Sequence, residues 1–153
     1  MKKFRFLYLL LLAGAPFMLQ AQSARFQGTA SYTIDFTKVS AQLSIDEIVN
    51  IHLGKTTGPL KVQLYLCNDA YDGGSIKGYA CGEAAVSEGI TGIDSISKIH
   101  TEVGFTQPPN GSYYPVILLF EKTKSEEFII DYITFEAVQI SKKSTGTLTS
   151  APL

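Results

Sequence analysis

The 153-residue sequence predicts an all-β protein, a single antiparallel β-sandwich of about seven strands. Two observations predict it. Apolar residues recur with a period of two, and no long stretch repeats them at three and four as a helix would. The segments between the alternating runs, "GKTTGP", "NDAYDGG", "QPPNG" and "KTKSE", are rich in the Gly, Pro, Asn and Asp that tight turns require.

The chain opens on a different kind of segment. Lys2, Lys3 and Arg5 precede an almost unbroken apolar run from Phe6 to Met18, and Leu19-Gln20-Ala21 places a small residue at a cleavage position. This is the pattern of an export signal over 1–21, so the mature chain is expected to begin at Gln22. The apolar run is short for a bilayer span, and no later stretch reaches about 18 apolar residues. The expected location is therefore the periplasm or the cell exterior, with no membrane span after the signal is removed.

The strands follow in order. "ASYTIDF" puts Tyr32, Ile34 and Phe36 on one face, and "LSIDEIVNIHL" puts Val49, Ile51 and Leu53 opposite Asn50 and His52. "PLKVQLYLC" alternates most cleanly: Leu60, Val62, Leu64 and Leu66 face inward, with Tyr65 and Cys67 outward. "SIKGYACGE" is a glycine-broken return strand. "DSISKIHTEVGF" shows no consistent inward face, which predicts a bulge. "SYYPVILLFEK" is apolar on both faces and so central, with Pro115 near its start, where a missing donor is tolerated. "EFIIDYITFEAVQI" closes the set. Val116, Leu118, Phe120, Ile130 and Phe135 are expected to supply much of the core. After Ser141 the apolar pattern is lost, so the domain is expected to span 22–140, followed by a flexible tail over 141–153.

Charge narrows the function. The chain carries 13 Lys and Arg against 14 Asp and Glu, and the leader holds three of the bases and no acid. A mildly acidic mature domain with no basic stripe is not expected to bind nucleic acid. His52 and His100 are the only histidines, both are read as ordinary strand residues, and no nucleophile motif accompanies them. No enzymatic activity and no cofactor are expected.

Three stretches together, "GPLKVQLYLCNDAYDGGSIKGY", "TQPPNGSYYPVILLFEK" and "FIIDYITFEAV", resemble an Ig-like β-sandwich module of bacterial secreted proteins. The corresponding positions are Gly58-Pro59-Leu60, Tyr71 with Gly73-Gly74, Pro108 through Tyr113, and Asp131 through Phe135. The resemblance covers roughly 28–138. It implies an Ig-like or fibronectin-III-like sandwich with an accessory or interaction role, because its motifs belong to the scaffold. By the same analogy, Tyr113 or Tyr114 is expected to bond backbone near Pro108–Asn110. The chain departs from the pattern in having no Trp and in carrying two cysteines.

The stretch "CNDAYDGGSIKGYAC" is the candidate ligand loop, with Asn68, Asp69, Tyr71, Asp72 and Tyr79 as its candidate contacts. Asp69 and Asp72 are a calcium candidate, since carboxylates close together on a loop suit a hard cation. They lack EF-hand spacing, and the same residues serve any tight turn, so no metal is the reading adopted. Tyr65, Tyr71 and Tyr79 are candidate platforms for stacking a surface glycan. The broader expectation is a protein partner bound through sheet edges or loops, or service as an accessory or structural subunit of the cell envelope or exterior. Asn110-Gly111-Ser112 fits an N-glycosylation sequon that a bacterial exporter is not expected to use, and Asp94-Ser95-Ile96 has the form of a bacterial O-glycosylation signal, making Ser95 a candidate for modification. Finally, a hairpin centred on Gly74 would set Cys67 and Cys81 on one face, so a Cys67–Cys81 disulfide worth roughly 3 kcal/mol is expected.

Overall fold

The computed structural model describes residues 22–150. The expected leader and the last three residues lie outside that range. Strands β1 (Ala24–Asp35), β2 (Ser40–Asn50), β3 (Leu60–Cys67), β4 (Gly78–Ser87), β5 (Ser95–Gly104), β6 (Gly111–Lys122), β7 (Glu127–Thr134), β8 (Val138–Ile140) and β9 (Thr147–Ser150) account for the regular structure. They form two antiparallel sheets, ordered β5-β2-β1-β9 and β4-β3-β6-β7, with β8 pairing the start of β6. The predicted all-β sandwich is what the chain adopts.

The core lies between the sheets. Tyr32, Ile34, Leu43, Ile45 and Ile48 from one sheet meet Leu60, Val62, Leu64, Leu66, Ile117 and Leu119 from the other, all essentially without exposure. Each such side chain contributes about 1.5–3 kcal/mol by leaving water. Phe135 closes one end, its ring edge-on to Tyr32 at 4.9 Å.

The expected faces need correcting in two places. In β6 the main core takes Ile117 and Leu119, while Val116, Leu118 and Phe120 pack on the outer face of the sheet. In β2 the inward set switches phase between Ile45 and Ile48. There Asp46 stands against both Gly28 and Thr29 of β1, a bulge that Asp46 holds by accepting bonds from the Thr29 amide and hydroxyl, both at 2.8 Å. Asn50 is consequently buried, whereas Ile51 and Leu53, expected inward, lie exposed beyond the strand. The irregularity expected in β5 is found at Lys98, whose φ of 56° is left-handed, and the core-facing residues change phase between Ile96 and Ile99.

The last predicted strand is two pieces. β7 follows β6 until Thr134, then Phe135 turns inward and β8 takes up the ladder with Gly111–Tyr113. The expected tail also needs correcting: Thr147–Ser150 pairs with Tyr32–Asp35 at the edge of the first sheet, with Leu148 packed on the core. A four-residue strand with a single apolar anchor leaves little periodic signal.

Candidate functional site

The loop between β3 and β4 is closed at its base by the Asn68 amide donating to the Lys77 carbonyl at 3.0 Å. Cys67 pairs with Gly78, whose φ of 149° and contact with the Leu66 carbonyl leave no space for a side chain. Beyond this base the loop folds down onto the outer face of its own sheet. Tyr71, only 9% exposed, sets its ring edge-on to Tyr132 at 4.7 Å. Together with Cys67, Val116 and Leu118, it forms a second apolar cluster flanked by Tyr65, Ile76, Phe120, Ile129 and Tyr132. The doubly apolar run "PVILLF" is the cause: a central strand with apolar residues on both faces must be covered on both.

Asn68, Asp69 and Asp72 remain exposed around the anchored tyrosine. Asp72 Oδ1 accepts the Gly74 amide at 3.1 Å, and Gly73 between them has φ 95°, so this carboxylate shapes the turn. Among the described residues no three His, Cys, Asp or Glu side chains gather closely enough to hold a metal ion. Burial, then the nearby Tyr132, Cys67 and Asp72, push the Tyr71 phenol above its usual range, so it stays a neutral donor.

Tyr79 does not join this group. It packs edge-on against Tyr113 at 5.8 Å, on the sandwich side of β4, and is 41% exposed. Tyr113 donates its hydroxyl to the Pro109 carbonyl at 2.8 Å, the backbone bond expected of Tyr113 or Tyr114.

The expected disulfide is not formed: Cys67 and Cys81 are both free and buried. The register explains why. Cys67 faces Gly78 rather than Cys81, and a bulge sits between the Leu64–Gly82 and Tyr65–Ala80 pairs. Cys81 is the extra residue of that bulge and points into the main core, while Cys67 belongs to the outer cluster. The thiols thus lie on opposite faces of the sheet. Burial pushes Cys67 up to about 11 and Cys81 up to about 12, which keeps both protonated and poorly nucleophilic.

Ser95, the modification candidate, opens β5 half-buried, and its hydroxyl donates to Glu47 at 2.6 Å. His100 lies on the exposed face of β5, with Nδ1 3.1 Å from Ser44 Oγ. His52, expected within a strand, sits in the turn after β2 with its amide bonded to Asn50.

Tyr71 is shared by three surface hollows. One of about 240 Å³ lies on the loop itself, beside Asp69, Asp72 and Lys77. A second of about 310 Å³ runs along β7 past Asp131 and Tyr132. The third, about 290 Å³, lies between the loop and the ends of β6 and β7, lined by Tyr114, Phe135, Glu136 and Ala137. Sequence reading missed Tyr114 and Glu136 here, because only the break between β7 and β8, opposite the start of β6, brings them alongside. A scan against protein-family models matches no family, and a search of curated proteins matches none.

Proposed function

We propose that this chain is an exported, non-catalytic β-sandwich module of a bacterial envelope or exterior that binds a protein partner through the rim of its β3–β4 loop. The observation that carries the proposal is the anchored loop: Tyr71 pins it to the sheet, so the open hollows around it are held in place rather than formed on binding. Preorganisation of that kind lowers the ordering cost of association.

An Ig-like lineage, of the fibronectin-III-like kind, is part of the reading. It is supported by strand order: β1-β2-β5 against β4-β3-β6-β7 follows A-B-E against C′-C-F-G. The Tyr113–Pro109 bond near the start of β6 stands where such sandwiches carry a tyrosine corner.

A photo-crosslinker placed at Ala70, on the loop, and at Glu102, on the exposed face of the other sheet, tests the binding role in the native host. A discrete adduct from position 70 and none from 102 is the expected result. Adducts from 102 alone, or from neither, would remove the loop rim as the binding surface. Export is tested separately by sequencing the mature N-terminus, expected at Gln22.

Glycan binding is the second reading, favoured by the exposure of Tyr79 (41%) and Tyr114 (36%). Tyr71 offers no free face for stacking. Glycan-array signals that survive Tyr79→Ala and Tyr114→Ala, or no signals at all, would eliminate it.

A further inference from the structure

The geometry points to a socket for one lysine or arginine side chain of the protein partner, in the hollow between the β3–β4 loop and the ends of β6 and β7. This deepens the protein-binding reading and rests on it.

Size limits the occupant first. Pockets for drug-sized ligands run from about 300 to 1,000 Å³. At about 290 Å³ this hollow lies at the small end of that range and has room for one long side chain. Its chemistry limits the occupant further. Phe135 and the methyl groups of Ala70 and Ala137 make an apolar lining, Tyr71 and Tyr114 add two aromatic rings, and Glu136 supplies the one carboxylate. A long apolar stem ending in a cation is the complement of that arrangement. The exposed ring of Tyr114 offers its negative face to the cation, and the carboxylate pairs with it.

The placement of these groups is built into the sheet. The β6–β7 ladder ends at Val116–Thr134 and the β6–β8 ladder begins at Tyr113–Val138, so Tyr114 stands beside the break in which Glu136 lies. Cys67 pairs with Tyr114 on the other side, which brings the Ala70–Tyr71 segment over the same spot. Glu136 and Tyr114 are exposed while Phe135 between β7 and β8 is fully buried, so the charge sits at the mouth and the apolar surface at the floor. The neighbouring hollows add Asp69, Asp72 and Asp131, against Lys77 and the α-amino group that processing would create at Gln22. A cationic partner is therefore drawn to this rim and an anionic one is not.

The test is an NMR titration of the ¹⁵N-labelled protein with n-butylammonium, n-butylguanidinium and, as uncharged match, n-butanol. Saturable shifts at the amides of Ala70, Tyr71, Phe135 and Glu136 are expected with the two cations and not with n-butanol. Glu136→Gln and Tyr114→Ala, both at exposed positions, should each weaken cation binding roughly tenfold while leaving the remaining resonances in place. Equal shifts with n-butanol, no shifts with either cation, or unchanged affinity in both variants would each overturn the socket. Crosslinking from Ala70 separates the two levels. An adduct that persists in the Glu136→Gln, Tyr114→Ala double variant overturns the socket and leaves the binding role standing. Loss of the adduct in the double variant supports both.

Discussion

The side-chain amide of Asn50 donates to the carbonyl oxygen of Ile90 at 2.7 Å, tying the end of β2 to the loop that precedes β5. The same nitrogen donates to the Lys55 carbonyl at 2.7 Å, and the side-chain oxygen accepts the His52 amide at 2.7 Å. Asn50 is 4% exposed, and its bond to Ile90 is fully buried while the other two are partly so.

Asn50→Ala removes all three bonds, while the Ile90 carbonyl keeps the Thr57 amide at 3.0 Å. A loss of about 2–3 kcal/mol is expected, the sum of three hydrogen bonds each worth about 1 kcal/mol net. Urea unfolding should show a lower midpoint with unchanged slope. A loss below roughly 0.5 kcal/mol would mean that water replaces the asparagine at little cost.

Tyr113→Phe keeps the ring against Tyr79 and deletes only the hydroxyl that bonds the Pro109 carbonyl. The expected loss is about 1 kcal/mol, the usual net worth of one such bond. Pro109 is exposed, so its carbonyl can turn to water and the effect should stay well below that of Asn50→Ala. Comparing the two variants by denaturant midpoint checks both magnitudes and their order.

Cys67 and Cys81, raised by burial to about 11 and about 12, should resist an aromatic disulfide reagent at pH 8 in the folded protein. Unfolding in denaturant without reductant should release two titratable thiols, and a reductant should leave the melting temperature unchanged. Finding no thiol after unfolding would restore the bridge, which the present register does not permit.

Acid should weaken the fold through two exposed carboxylates. The Thr29 amide, and then its hydroxyl, hold Asp46 below its ordinary 3.8, and the hydrogen bond from Lys61 holds Glu127 below its ordinary 4.5. A depressed folded value means the unfolded chain binds the proton more readily. The stabilisation is therefore present above the ordinary carboxylate range and lost as pH falls through the depressed values. Asp46→Asn and Lys61→Met should each lower stability at pH 7, and their gap to the wild type should narrow as pH falls below the ordinary carboxylate range, as read by unfolding midpoints across a pH series. A gap that stays constant with pH would assign the effect to packing instead, which for Lys61 includes its ammonium 4.9 Å above the Phe120 ring.

Much of the sandwich was legible because strand alternation is a local property. Leu60, Val62, Leu64 and Leu66 read as one inward face and are one, since no bulge interrupts β3 itself. The double-sided apolar character of β6 was also legible, although which side met the main core was not. That choice depends on which residues stand opposite in β3, and Leu64 stands against Ile117. The candidate site was legible only in part. Its loop and Tyr71 were visible as turn chemistry with an aromatic residue, but the burial of Tyr71 was not, because its partners Tyr132 and Leu118 lie far along the chain.

What the sequence by itself determined is the period of two, the turn positions and therefore the all-β class, each set by interactions within a few residues. What only the tertiary structure decided is phase and register. One extra residue at Cys81 sends its thiol into the core and away from Cys67, and one bulge at Gly28–Thr29 buries Asn50 where Ile51 was expected. The physical reason is that a single-residue slip reverses every side chain after it at almost no local cost. The sum of packing across both sheets settles each such slip, and no short stretch of chain encodes that sum.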